Sequence, residues 1–121
     1  MNVVVTVAKN IWNEWLTEGN LAGDPWDGVL ENHFWINKKS VPKDIAIGDR
    51  VYVVSNNKLR GYSPLLYVET SCSLRLDRAC FLRRNDAVAV TLNREIKGFQ
   101  GWRYQWWDSN EEIAFPNWKT P

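Results

Sequence analysis

Apolar residues fall in short runs along this chain, separated by turns rich in Gly, Asn, Asp and Pro. Residues 2–7 are mostly valine, which predicts a buried β-strand. After Asn10, a favoured helix N-cap residue, apolar side chains recur at helical spacing. This pattern predicts a helix of about two to three turns that ends near Glu18.

The remaining apolar runs have the lengths and β-branched content of strands. They cover residues 33–36, 50–54, 59–62, 65–68, 71–76, 79–82 and 87–92. Residues 96–107 form an aromatic segment in which Gly98 and Gly101 are spaced for a bend or a close backbone approach. Asn56-Asn57 predicts a hairpin turn, because Asn tolerates positive φ, and Pro64 interrupts the return strand. Without alternating strand–helix–strand units, a parallel sheet is not expected. We therefore predict one domain over residues 1–121 of α+β, mainly β class, with about six strands and one or two flanking helices.

Aromatic content adds a functional hint, since the chain has eight tryptophans and four of them lie in its last twenty residues. A tryptophan either fills a core or stacks on something flat or cationic. If residues 102–107 form a strand, alternate side chains share a face. Trp102, Tyr104 and Trp106 would lie on one face, and Arg103, Gln105 and Trp107 on the other.

The net charge of +1 conceals an uneven distribution. Residues 58–103 contain nine Lys or Arg and four Asp or Glu, a net charge of +5, and seven of the nine cations are arginine. Arginine is well suited to bidentate phosphate contacts and to stacking. The basic block is either a solvated face or an anion-binding surface.

Residues suited to catalysis or metal binding are sparse. Cys72, Cys80 and His33 lack metal-ligand spacing, so we expect buried thiols and neither a metal nor a cofactor. No nucleophile-elbow or phosphate-loop motif is present, and the carboxylates of Glu111-Glu112 are expected to be solvated. Without a signal-like or membrane-length segment, we expect a cytoplasmic protein that makes no membrane contact. Because no catalytic set of residues is recognisable, we favour a binding protein over an enzyme.

Two segments resemble one known family. Residues 47–54, Ile-Gly-Asp-Arg-Val-Tyr-Val-Val, followed by residues 59–62, Leu-Arg-Gly-Tyr, are similar to an element of PUA-like domains, which include the EVE, ASCH and YTH branches. The resemblance implies a small pseudo-barrel in which Gly61 permits a kink as the barrel closes. PUA-like relatives often hold a flipped or modified base between aromatic rings, and some ASCH members are thought to be small hydrolases or nucleases.

From the interleaved aromatic and basic residues we predict binding of nucleic acid or a nucleotide-like ligand. The resemblance to PUA-like domains further implies that a modified or flipped base is bound. The predicted ligand-binding aromatic residues are Trp26, Trp35, Tyr62, Trp102 and Trp106. The predicted phosphate contacts are Arg60, Arg83, Arg84 and Arg103. The predicted readers of a base edge are Asn32, Asn37, Ser63 and Gln100. The alternatives are a protein-binding inhibitor of the phage or mobile-element type and an ASCH-like hydrolase or nuclease.

The basic block gives a first testable prediction. Substituting Arg83→Ala together with Arg84→Ala should lower the affinity for nucleic acid and flatten its dependence on salt, because fewer phosphates are neutralised. Fluorescence anisotropy with a labelled oligonucleotide over a salt series measures both quantities. An unchanged affinity and an unchanged salt slope would exclude these two arginines as phosphate contacts.

Overall fold

The computed structural model describes residues 1–17, 31–70, 78–84 and 87–116. Within these ranges, one α-helix and eight strands are joined by turns. They are β1 (Val3–Thr6), α1 (Lys9–Thr17), β2 (Glu31–Asn37), β3 (Arg50–Ser55), β4 (Lys58–Glu69), β5 (Arg78–Arg84), β6 (Val90–Thr91), β7 (Trp102–Tyr104) and β8 (Ile113–Ala114). Short 3-10 helices lie after β2 at Lys38–Ser40 and between β7 and β8 at Ser109–Glu111.

Six of the strands form one nearly closed, barrel-like sheet in the order β2-β5-β4-β3-β1-β7. The predicted class, a small and mainly β pseudo-barrel of about six strands, is confirmed. All neighbours are antiparallel except β1 and β3, which run parallel, so the sheet contains one parallel pair that the sequence did not suggest. Strands β6 and β8 form a separate two-stranded sheet.

Several predicted boundaries need correction. The helix begins at Lys9, so Asn10 lies inside the helix and does not cap it. Of the predicted strand 87–92, only Val90–Thr91 is regular strand, with an added bridge from Val88 to Tyr62. The aromatic segment 96–107 is a strand only over Trp102–Tyr104. The predicted strand 71–76 lies outside the described residues.

The β3–β4 hairpin has the predicted turn and also a bulge. Asn56 and Asn57 have φ values of 54° and 60°, as a two-residue hairpin turn with the twist of the strands requires. Val54 pairs with Leu59 but Val53 pairs with Gly61, so β4 contains one extra residue, Arg60. Gly61 has a φ of 155°, a value that other residues rarely adopt, and it directly follows the extra residue of the bulge.

Strand β4 changes partner at Pro64. Its first half pairs with β3 as far as Pro64, and from Leu65 onward it pairs with β5. Because a proline donates no hydrogen bond to a neighbouring strand, it is tolerated at such a junction. The Leu65 N–H donates to the Asp49 carbonyl at 2.8 Å. The strand therefore passes through the proline that was expected to interrupt it.

Apolar side chains pack on both faces of β1 and β3. Val3, Val5, Val51 and Val53 point into the barrel, where Phe81 and other residues from neighbouring strands and α1 join them in what we call the inner cluster. The alternate residues form the outer cluster with side chains from the last third of the chain. Its buried members are Val4, Tyr52, Val54, Leu59, Leu92, Ile96 and Trp107. Residues 87–116 therefore contribute much of the cover over the outer face of the sheet.

Cys80 is a buried thiol in β5, as predicted, whereas Cys72 lies outside the described residues. No helix in the described ranges is long and apolar enough to span a membrane.

Candidate functional site

Five aromatic rings contact one another in a continuous line on the outer face of the sheet. We call this line the aromatic ribbon, and in order it consists of Tyr62, Tyr52, Trp107, Trp106 and Phe99. Successive ring centroids are 5.2, 5.0, 5.0 and 5.9 Å apart, and the ring planes are tilted or perpendicular. These edge-to-face arrangements are favoured because the ring edge is positive and the ring face negative.

An arginine stacks on each end of the ribbon. The Arg50 guanidinium carbon lies 4.1 Å from the centroid of the Tyr62 ring, and the Arg103 carbon lies 4.4 Å from that of Phe99. Both distances are within the range of cation–π interactions. Arg103 is exposed, and 38% of the Arg50 side chain is accessible. The ribbon therefore has a guanidinium at each end.

A nearly buried carboxylate holds the middle of the ribbon. Glu112, whose side chain is 7% exposed, accepts hydrogen bonds at Oε2 from the Tyr52 hydroxyl at 2.7 Å and from Trp107 Nε1 at 2.8 Å. Its Oε1 lies 3.6 Å from Arg50 Nη1, which also donates to the Tyr52 hydroxyl at 2.9 Å. The expectation that Glu112 is solvated is wrong, because two ribbon residues and Arg50 surround it.

Exposure changes along the ribbon and decides which part can contact a ligand. Tyr52 is fully buried and Trp107 is 6% exposed, so the middle belongs to the core. Trp106 is 47% exposed, and Phe99 beside it is partly exposed. We call Trp106, Phe99 and Arg103 the Trp106 end. It is the part of the ribbon with the most accessible ring.

Trp102 lies on the opposite side of β7 from this surface. In the register with β1, Trp102 and Tyr104 are opposite Val5 and Val3 of the inner cluster, and Arg103 is opposite Val4 of the outer cluster. Trp102 Nε1 donates to the Ser40 carbonyl, and the Tyr104 hydroxyl accepts from the Asp44 N–H at 3.2 Å. These contacts attach the segment after β2 to β7.

The predicted grouping of Trp102 with Trp106 is therefore wrong. Strand β7 ends at Tyr104, so the alternation of faces does not extend to Trp106. Trp106 instead contacts Phe99 and Trp107 on the outer side. Trp102 and Trp106 consequently do not form facing walls of one slot.

Arg60 does not suit its predicted role as a phosphate contact. The residue is 3% exposed, and its Nε donates to the Ser55 carbonyl at 3.0 Å. Its guanidinium carbon lies 5.7 Å from the Trp12 ring centroid and 5.9 Å from that of Phe115. Burial also lowers the pKa of Arg60 from its ordinary value. The extra residue of the bulge thus places a cation inside the fold.

The other predicted residues are dispersed. Ser63 is fully buried, so it is not placed to read a base edge. Asn37 is exposed, and its side-chain oxygen accepts from the Lys39 N–H at the start of a 3-10 turn. Gln100 is exposed and directly follows Phe99 of the Trp106 end in the sequence. Trp26 lies outside the described residues, as do the side chains of Trp35, Asn32, Arg83 and Arg84.

The predicted site includes Tyr62, Trp106 and Arg103, and it lacks five residues of the ribbon and its partners: Arg50, Tyr52, Phe99, Trp107 and Glu112. Counting back from the Asn56-Asn57 turn would place Tyr52 opposite Gly61. The bulge moves the partner to Tyr62 and so starts the ribbon. Phe99 and Glu112 lie in irregular segments, and no periodic signal assigns them to a face.

Comparison with protein-family models, curated proteins and solved structures gave no match. Function must therefore be argued from the geometry of the surface. Among the described residues, no group of three or more His, Cys, Asp or Glu side chains is placed to hold a metal ion.

The contacts of Glu112 predict a large effect of its removal. Glu112→Ala leaves the Tyr52 hydroxyl and Trp107 N–H without their acceptor, and should lower the free energy of unfolding by roughly 3 kcal/mol. Glu111→Ala, at the neighbouring exposed carboxylate that pairs with Arg94, should cause a much smaller loss. Urea unfolding followed by tryptophan fluorescence measures both. Equal losses in the two variants would contradict the central role of Glu112.

The Tyr52 hydroxyl predicts a loss of stability at high pH. Burial, followed by the hydrogen bond to Glu112, raises the pKa of Tyr52 to about 12. An unfolded tyrosine has a pKa of about 10. Between these values the folded protein keeps a proton that the unfolded chain has released, so this contribution is complete below about pH 10 and declines toward about pH 12.

The size of that loss is about 3 kcal/mol at most. Urea unfolding at about pH 9 and about pH 11.5 gives the free energy of unfolding at each pH. This free energy should fall more steeply between the two pH values for the wild type than for Tyr52→Phe, because the phenylalanine has no proton to lose. Tyr67→Phe, at a tyrosine that is 44% exposed, serves as the matched control and should follow the wild type. Parallel declines in the wild type and Tyr52→Phe would refute the assignment.

Proposed function

We propose that this protein binds single-stranded nucleic acid or a nucleotide-like ligand at the Trp106 end of the aromatic ribbon. One observation carries the proposal. A tryptophan that is 47% exposed contacts a phenylalanine on which an exposed arginine is stacked. Proteins that bind single strands combine exposed aromatic rings for the bases with cations for the backbone phosphates.

The Trp106 ring is held in place before a ligand arrives. It packs edge-on against Trp107, whose Nε1 is bonded to Glu112, and against Phe99, whose N–H donates to Thr6 Oγ1 at 3.2 Å. A ring fixed by its neighbours loses little conformational entropy when a base stacks on it. Each stacked base contributes roughly 1–3 kcal/mol. One principal ring therefore predicts modest affinity that depends on further phosphate contacts.

Charge near the Trp106 end supports an anionic ligand. Arg103 belongs to the Trp106 end, and Lys97, two residues before Phe99 in the sequence, is exposed. Both belong to the basic block of residues 58–103, from which Arg60 is withdrawn by burial. Arg83 and Arg84 remain predicted phosphate contacts in this proposal. A modified or flipped base would require a slot, and Trp102 and Trp106, two of the five aromatic residues predicted to line one, do not face each other.

A protein partner is the second candidate, because exposed tryptophan and arginine are also characteristic of binding hot spots between proteins. The exposure of Trp106 beside the buried Trp107 fits either partner. The two candidates differ in their salt dependence, because phosphate contacts release counterions. For a nucleic acid, the logarithm of the binding constant therefore falls linearly with the logarithm of the salt concentration.

The test measures binding of a labelled single-stranded oligonucleotide by fluorescence anisotropy. Trp106→Ala should weaken binding roughly tenfold or more without unfolding the protein, because it removes a stacking ring from the surface. Tyr67→Ala removes a similarly exposed ring away from the ribbon and should bind like the wild type. Trp102→Ala should instead lower the thermal midpoint, because Trp102 packs against the inner cluster.

The salt slope provides the second measurement. Arg103→Gln should reduce the slope by about one, as expected for one lost phosphate contact. Lys43→Gln removes a positive charge from an exposed position away from the ribbon and should leave the slope unchanged. Identical affinities for Trp106→Ala and the wild type, or a salt-independent affinity, would contradict nucleic-acid binding at this surface.

A further inference from the structure

A concave surface, separate from the Trp106 end, lies beside the β3–β4 turn. It is an open groove of about 370 Å³, within the size range of small-ligand sites. Its lining residues are Asn57, Lys58, Thr91, Leu92, Asn93, Arg94, Glu95 and Ile113. Neither Trp106, Phe99 nor Arg103 contributes to it, so the groove is separate from the Trp106 end.

Backbone contacts build the walls of the groove. The Ile96 N–H donates to the Asn57 carbonyl at 3.1 Å, which joins the loop after β6 to the hairpin turn. Thr91 is paired with Ile113 between β6 and β8, which places β8 along the other side. Leu92 and Ile96 are buried in the outer cluster and anchor this loop to the barrel.

The side chains of the groove favour an anion with a less polar portion. Lys58 and Arg94 supply two cations against one lining carboxylate, Glu95, and two asparagines can donate further hydrogen bonds. Ile113, which is 48% exposed, supplies apolar surface. Arginine and lysine together with neutral donors are the usual partners of phosphate.

Arg94 can exchange its present partner for a ligand. Its Nη1 contacts Glu111 Oε1 at 3.0 Å, and the two side chains are 47% and 45% exposed. Exposed ion pairs contribute little to stability because water screens them, so a dianion can displace the carboxylate. Arginine also has five N–H donors, which allows a further contact from the same guanidinium.

A buried hydroxyl gives independent support. Thr91 is 6% exposed, and its Oγ1 has no hydrogen-bond partner within the part of the chain that the structure describes. Buried polar groups are almost always hydrogen-bonded, and this enclosed hydroxyl would gain a partner in a ligand oxygen if the Thr91 side chain rotated toward the groove.

We propose that this groove binds a phosphoryl group, with Lys58 and Arg94 as the phosphate ligands and Thr91 as an additional hydrogen-bonding group. The adjoining part of the ligand lies against Ile113. The phosphoryl group comes either from a soluble nucleotide or from the backbone of a nucleic-acid strand, and the experiment separates these sources.

Two-dimensional NMR of the ¹⁵N-labelled protein tests the site, with inorganic phosphate and adenosine 5′-monophosphate as probes at constant ionic strength. We expect saturable shifts of the Asn57, Asn93 and Arg94 amides. Lys58→Gln and Arg94→Gln should each weaken binding roughly tenfold, because each removes a charge-assisted hydrogen bond. Lys43→Gln, outside the groove, is the matched control and should not change the affinity.

Glu111→Gln should change phosphate affinity in the direction opposite to Lys58→Gln and Arg94→Gln. It removes the carboxylate that competes for Arg94, while glutamine can still complete the capping box that Glu111 forms with Asp108. Phosphate affinity should therefore rise. Thr91→Val, which keeps the shape of the side chain, should lower it. Non-saturable shifts, equal shifts at Lys39 and Lys43, or unchanged affinity in Arg94→Gln would overturn the proposal.

Two further measurements distinguish a soluble nucleotide from a strand backbone, and binding in the groove from binding at the Trp106 end. An oligonucleotide that displaces phosphate from the groove identifies a strand backbone as the ligand, whereas displacement by adenosine 5′-monophosphate alone identifies a soluble nucleotide. Trp106→Ala should leave phosphate binding unchanged. Phosphate binding without any oligonucleotide binding would contradict the function proposed for the Trp106 end and leave the groove intact.

Discussion

The arrangement of the molecule depends on one constraint, the burial of both faces of β1 and β3. Alternate valines of β1 fill the barrel, and Val4 points the other way, where Tyr52 and Val54 of β3 also lie. Apolar side chains on an outer face cannot remain in water without a free-energy cost of about 25 cal/mol per Å². Residues 87–116 supply that cover through Leu92, Ile96 and Trp107.

Both candidate surfaces arise from this covering segment. Trp107 is buried against Tyr52, which leaves the adjacent Trp106 at the surface beside Phe99. The loop after β6 is attached to the hairpin turn through Ile96, and the groove forms where the loop and the turn meet. One packing requirement thus positions an exposed ring and a basic groove on the same segment, with different residues in each.

Glu112 connects this cover to the barrel. Its carboxylate bonds to Tyr52 of the sheet and to Trp107 of the covering segment, and lies close to Arg50. A nearly buried carboxylate is tolerated only where donors surround it, and here a phenol, an indole and a guanidinium do so. The same contacts hold the Trp106 ring through Trp107, so a structural interaction of the core also preorganises the surface proposed to bind a ligand.

The sequence by itself determined the mainly β class, the buried valine strand and the Asn56-Asn57 turn, because these follow from local preferences of the backbone and from side-chain periodicity. Only the tertiary structure decided where Arg60, Trp102, Trp106 and Glu112 lie. A single bulge changed the partner of Tyr52, and the early end of β7 separated Trp102 from Trp106. Such positions depend on contacts between distant segments, and the local pattern of apolar and polar residues does not encode them.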